Sequence, residues 1–194
     1  MKTTLIVLAI MCLFVSAGCI DSQKTNQPEG TVTIAGYSGQ EIVKLLGAKL
    51  DECVTQQKLD SYNRVFGFGD ANKDGQHSKA EYIDGGKYMT QQARAMIFKA
   101  ADSNNDEAVT RKEYIINRVI TDEAKEIMAG FDSDKNGSIS KDEFVNNCLI
   151  KDKNLAAFVF AELDINNDGQ TVTPEYLRVW GKWARSGKNS WKLE

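Results

Sequence analysis

Apolar positions along the chain fall into recurring groups. They lie one, four and five places before a polar, acidic stretch at Ala101, Phe98 and Ile97, at Phe131, Met128 and Ile127, and at Leu163, Phe160 and Val159. Phe66 and Val65 begin a further copy whose last place is Gly69. This spacing is one face of a helix running into a loop. The twelfth residue of each polar stretch is a glutamate, and an aromatic follows it at once: Tyr82, Tyr114, Phe144 or Tyr176. Ser78-x-x-Glu81, Thr110-x-x-Glu113 and Ser140-x-x-Glu143 are capping boxes that open the leaving helices, and Thr173 with Pro174 marks the fourth start. The polar stretches begin at residues 70, 102, 132 and 164, a period of 32, 30 and 32 residues. A fixed period of this length predicts a repeat architecture. The expected fold is all-α, with four helix–loop–helix units packed as two pairs and short β-bridges between paired loops. The gaps 82–101, 114–131 and 144–163 must each hold a leaving and an entering helix, so two pairs packed face to face are expected, without a long exposed connector. Units one and two are placed in residues 38–121, units three and four in 122–194. Ser38-x-x-Glu41 opens an additional amphipathic helix through Ile42, Val43, Leu45, Leu46 and Leu50, assigned to the first half.

The polar stretches carry the chemistry. Asp132–Glu143 reads DSDKNGSISKDE, with oxygen-bearing side chains at the first, third, fifth, ninth and twelfth positions and Gly137 at the sixth. Ca²⁺ takes six to eight oxygens, and a twelve-residue loop can supply them by wrapping, turning sharply at a glycine and closing with a bidentate glutamate. The expected ligands of this loop are Asp132, Asp134, Asn136, the carbonyl of Ser138, and Glu143. The same positions give Asp70, Asn72, Asp74, Gln76 and Glu81 in loop one. Loop two gives Asp102, Asn104, Asp106, Ala108 and Glu113, and loop four gives Asp164, Asn166, Asp168, Gln170 and Glu175. These residues and their spacing resemble the EF-hand family, over about Leu59–Trp183. The short gaps look closer to the compact sarcoplasmic calcium-binding proteins and calerythrin than to a dumbbell sensor. Loop two departs from the pattern at Glu107, which stands where the turn wants glycine, so its site should be the weakest. Loop four has Thr171 at the eighth position, where Ile or Val is usual, and Val172 at the ninth. His77, the single histidine, sits at the eighth position of loop one, where a bridge would put it opposite Val109. Its expected role is structural.

Composition narrows the function. The chain has 194 residues, 42% of them hydrophobic, and a formal net charge of −3, so no basic excess points to nucleic acid. Four Ca²⁺ ions add eight charges and would take that −3 to +5. Lys2, the apolar run Leu5–Val15 and the small residues Ser16-Ala17-Gly18 read as an export signal over residues 1–18. Ser16-Ala17-Gly18-Cys19 resembles the lipobox of bacterial lipoproteins, with Ser16 as the departure, which implies a lipid on Cys19. Residues 19–37 then form a flexible tether. The chain is therefore expected outside the cytoplasm, secreted or held at a membrane surface. Cys53 and Cys148 could form a disulfide or remain thiols; the sequence leaves both open. Trp180 and Trp183 should seal the core, with Trp191 in a frayed tail. EF-hand photoproteins rely on several histidines, and no hydrolytic constellation is present, so no enzyme is expected. The expected function is reversible Ca²⁺ binding as a buffer or calcium-stabilised module. The alternative is a sensor that exposes an apolar groove, although Met89, Met96 and Met128 are few for such a surface.

Overall fold

A computed structural model describes residues 33–50 and 54–186. In chain order these form β1 (Thr33–Ile34), β2 (Tyr37–Ser38), α1 (Gly39–Leu45), α2 (Gln56–Gly69), β3 (Gln76–Ser78), a single π-helical turn (Ala80–Asp84), α3 (Gln91–Ala101) and β4 (Ala108–Thr110). There follow α4 (Arg111–Ala129), β5 (Ser138–Ser140), α5 (Lys141–Asn147), α6 (Lys153–Leu163), β6 (Gln170–Val172) and α7 (Thr173–Arg185). The fold is mostly helical, with only small strands. The strands are short: β3 pairs antiparallel with β4 over three residues, His77 opposite Val109, and β5 with β6 likewise, Ile139 opposite Thr171.

Local chemistry explains where the helices start. Ser38, Thr110 and Ser140 each accept the backbone N–H of the glutamate three residues on, which reaches back to the cap's own N–H. That reciprocal box satisfies donors a helix start otherwise leaves orphaned. Thr55, Thr90 and Asp152 cap α2, α3 and α6. At α7 the cap is Val172, not Thr173. Valine offers no side-chain acceptor, and only the Glu175 carboxylate reaching back to the Val172 N–H remains. The first leaving helix is cut to one π turn, closed by Gly85 donating to the Ala80 carbonyl. Arg94 of α3 then caps the freed carbonyls of Ile83 and Met89.

The middle of the chain differs from expectation. Residues 111–129 contain no glycine or proline, and α4 runs through them unbroken, leaving loop two and entering loop three as one helix. The boundary drawn at 121/122 falls inside it. The two halves therefore share α4. Its first turns complete a smaller core with Tyr62, Phe66, Phe98, Ala101 and Val109. Its last turns complete a larger core with Phe131, Phe144, Phe160, Leu163, Trp180 and Trp183.

Helix α1 also lies elsewhere than expected. Its Ile42, Val43 and Leu46 are buried in the larger core, packed on α7, and not with units one and two. The stretch read as tether is shorter than 19–37 at its C-terminal end. Ala35 and Gly36, both at positive φ, turn the chain so that β1 pairs with β2 and Ile34 is buried. The export signal, Cys19, Cys53 and Trp191 lie outside the described residues. Cys148 is a buried free thiol, and burial pushes its pKa up. Among the described residues no helix is long and apolar enough to cross a membrane.

Candidate metal centres

The four loops are built alike from their backbones. The fourth and sixth residues of each sit at positive φ: Lys73 and Gly75, Asn105 and Glu107, Lys135 and Gly137, Asn167 and Gly169. This double left-handed turn aims successive N–H groups inward, and the first-position aspartate takes them. Asp132 accepts from Asn136 and Gly137 at 3.2 and 3.0 Å. Asp70 accepts from Asp74 and Gly75, Asp102 from Asp106 and Glu107, and Asp164 from Asp168 and Gly169, at 2.9–3.2 Å. The third and fifth side chains are joined too: the amide of Asn72, Asn104 or Asn166 donates to Asp74, Asp106 or Asp168, and Asn136 donates to Asp134. The seventh residues, Gln76, Ala108, Ser138 and Gln170, each donate their N–H to the fifth side chain.

The closing glutamates distinguish the loops. Glu143 accepts the N–H groups of Ser133 and Ser140 at 3.0 and 2.9 Å, one on each carboxylate oxygen. Glu81 and Glu113 do the same with Ala71 and Ser78, and with Ser103 and Thr110. Among the described bonds, Glu175 accepts only from Val172, so it touches the helix start and not the loop start. The backbone N–H and hydroxyl of Ser140, joined by the Ser133 hydroxyl, hold the Glu143 pKa down to about 2. Ser78 does the same for Glu81, also about 2. At Glu113 burial is the largest influence and pushes upward, but the bonds from Thr110 and Ser103 together outweigh it and the pKa is lowered. These glutamates are carboxylates at neutral pH, the state a cation needs.

In loop three the carboxylates themselves converge. Carboxylate oxygens of Asp132, Asp134 and Glu143 lie within 4.8 Å of one another, the one such acidic group among the described residues. The difference between loops is one of sequence, because loop three carries Asp third and Asn fifth while the other three reverse them. Each Asp132 oxygen accepts one N–H and keeps a second lone-pair direction for a cation, whereas the Glu143 oxygens take donors from Ser133, Asp134 and Ser140, some of which an ion would displace. Asp132, Asp134, Asn136, the Ser138 carbonyl and Glu143 are the residues that would hold the ion. The charge set, three carboxylates with neutral oxygens, is that of a hard-cation site.

Three features were not read from the sequence. Lys79 pairs with Glu107 at 2.8 Å across loops one and two, and the Ser138 hydroxyl donates to Gln170 at 2.7 Å across loops three and four. Both are surface pairings that only the bridge register creates. The eighth positions act in a third way. His77 Nε2 meets the Phe66 carbonyl at 2.9 Å, and Thr171 donates to the Leu163 carbonyl at 3.2 Å. Each ties a loop back to the end of its entering helix; the Leu163 carbonyl is one that the helix end leaves without an intrahelical partner, while the Phe66 carbonyl also accepts the Asp70 N–H. His77 is also stacked on Phe66, with ring centroids 4.1 Å apart, in keeping with a structural role.

Comparison with known families bears on this region. A family model described as an EF-hand domain pair matches residues 121–147, the second half of α4, loop three and α5. The match covers the loop in which the carboxylates converge.

Proposed function

We propose that the protein binds Ca²⁺ reversibly in four EF-hand loops arranged as two pairs, and acts as a buffer or a calcium-stabilised module. The convergence of Asp132, Asp134 and Glu143, within the stretch matched by the EF-hand pair, carries this reading. Bound calcium supplies positive charge to a cluster of carboxylates that repel one another, so its chemistry here is structural. Loops one, two and four follow by their shared backbone, with Glu107, and Glu175 bonded only to the helix start, as reasons for lower affinity in the second and fourth. Calorimetric titration of the full chain with Ca²⁺ tests it. Three to four ions are expected, loop three among the tightest; no heat and no shift in melting temperature would overturn it.

No enzymatic activity belongs to this reading. The chain acts outside the cytoplasm, and the support is in sequence alone: an apolar leader ending in Ser16-Ala17-Gly18-Cys19, with a lipid on Cys19 holding the chain at a membrane surface. Mass spectrometry of the mature N-terminus tests the anchor, which an unmodified terminus would rule out.

A second reading, a sensor, is favoured by one observation. Phe68 is 80% exposed and Tyr88 84%, with Met89 and Met96 also exposed, all in the half that holds loops one and two. A calcium-dependent rise in fluorescence of an apolar dye separates sensor from buffer, since buffer-type EF-hands barely open.

A further inference from the structure

Helix α1 belongs to none of the four helix–loop–helix units, yet it is among the most deeply buried elements of the protein. Ile42 and Val43 are fully buried and Leu46 is 1% exposed, all against the larger core. The approach to α7 is close enough to require glycine. A Cβ at Gly39 would lie 2.8 Å from the backbone Cα of Trp183 and 2.9 Å from the Ser186 hydroxyl. Beyond α1 the chain turns at Gly47, where φ is 106° and a Cβ would crowd Leu149 at 3.0 Å. It then meets Glu123, in the middle of α4. The two Glu123 oxygens accept the backbone N–H groups of Lys49 at 2.7 Å and Leu50 at 3.0 Å. Leu50 is held there at φ 55°, a conformation an L-residue rarely adopts unless something enforces it.

We propose that α1 is a ligand supplied in cis: an amphipathic helix seated on the apolar face of the larger half and latched there by the Glu123 carboxylate. Its sequence suits the task, because Ile42, Val43 and Leu46 form one apolar side while Glu41 and Lys44 stay exposed on the other. Among the described residues the smaller half has no such added helix; its core draws on α2, the π turn, α3, β4 and α4, and Phe68, Tyr88 and Met96 are exposed. The two halves therefore differ. In the larger half the face under α1 is filled by the protein's own chain, while Leu149 and Phe158 stay exposed elsewhere on it. The latch lies beside a cleft of about 330 Å³ lined by Lys49, Leu50, Val54, Lys58 and Glu123, so water reaches it. Only the link to calcium rests on the function proposed above; the latch itself is a matter of α1, α4 and α7.

The test uses the full chain and amide hydrogen exchange read by mass spectrometry, in chelator and in calcium. Glu123→Ala removes both acceptors and Glu123→Gln one of them, neither touching a loop. Exchange at residues 39–46 should rise on the order of tenfold in Glu123→Ala and by less in Glu123→Gln, with α5 and α6 unchanged. A labelled peptide of residues 37–50 should then bind the Glu123→Ala chain and not the wild type. Gly39→Ala, which crowds Trp183, should act in the same direction. The proposal is overturned if α1 exchanges at the wild-type rate in both Glu123 variants, if α5 and α6 quicken in step with it, or if the peptide binds neither chain. Failure of the calcium reading would look different: calcium would leave the wild-type melting temperature unmoved while the exchange results stood.

Discussion

Glu107 sits at φ 69° in the place where the other three loops have glycine at 85–86°. A left-handed L-residue costs about 1–2 kcal/mol, and the strain is present before any ion arrives. Relief should therefore appear first in the metal-free protein. Glu107→Gly is expected to raise the denaturant midpoint in chelator, and Glu107→Val, β-branched at positive φ, to lower it. The Lys79 pair lost in both is exposed on each side and worth little, so opposite signs for the two variants isolate the backbone effect. The same order in both would defeat the argument. Glu143 sets the larger effect. Ligand linkage gives about 2.7 kcal/mol per site at a hundredfold excess over Kd. Glu143→Gln should forfeit most of loop three's share of the calcium-induced rise in melting temperature. At this scale the sequence was a good guide: ligand positions follow from spacing, and Glu107 announced its strain. The left-handed fourth residues, Lys73 and Lys135 among them, were not legible, because no glycine marks them. Nor was the single bond of Glu175, to the N–H of its cap Val172, which lacks a hydroxyl.

Capping ties the elements to pH. Glu81 and Glu143 serve both a loop and the start of the element leaving it, and their pKa values in the folded protein fall from 4.5 to about 2. A folded pKa below the unfolded one means stability that is fully present above about pH 4.5 and lost as pH falls toward 2. In chelator, the unfolding midpoint should decline across that window, and Glu143→Gln should flatten part of the decline. A midpoint indifferent to pH between 5 and 2 would remove these bonds from the account. Helices α2, α3 and α6 were legible from the apolar spacing before their loops, and α5 from its capping box at Ser140 and Glu143. The continuity of α4 was not inferred, although its sequence carries no breaker between Arg111 and Ala129; a count of helices per gap hid it. The place of α1 could not be read either, since an amphipathic helix shows which face it buries but not against what.

On the scale of the whole molecule the two cores are unequal. Among the described residues the larger joins 22 buried side chains and the smaller eight. Both described tryptophans, Trp180 and Trp183, are in the larger one. The smaller core also relies on a leaving element of a single π turn, closed by Gly85, so it should be the first to open when calcium is withdrawn. Phe98 makes the test sharp. It is 2% exposed at the centre of the smaller core, and Phe→Ala at such a site costs about 3–5 kcal/mol. In chelator, Phe98→Ala should split denaturation into two steps. Helical circular dichroism would fall in part at low denaturant, while tryptophan fluorescence would hold until the wild-type midpoint. The shared helix α4 sets the limit of that independence, since its first turns belong to one core and its last turns to the other. If α4 transmits the loss, both probes will move together to a lower midpoint, and the protein is one cooperative unit despite its two cores. Amide exchange along Arg111–Ala129 decides where the break falls: protection lost up to about Val119 and kept from Ile120 onward supports two units joined within one helix.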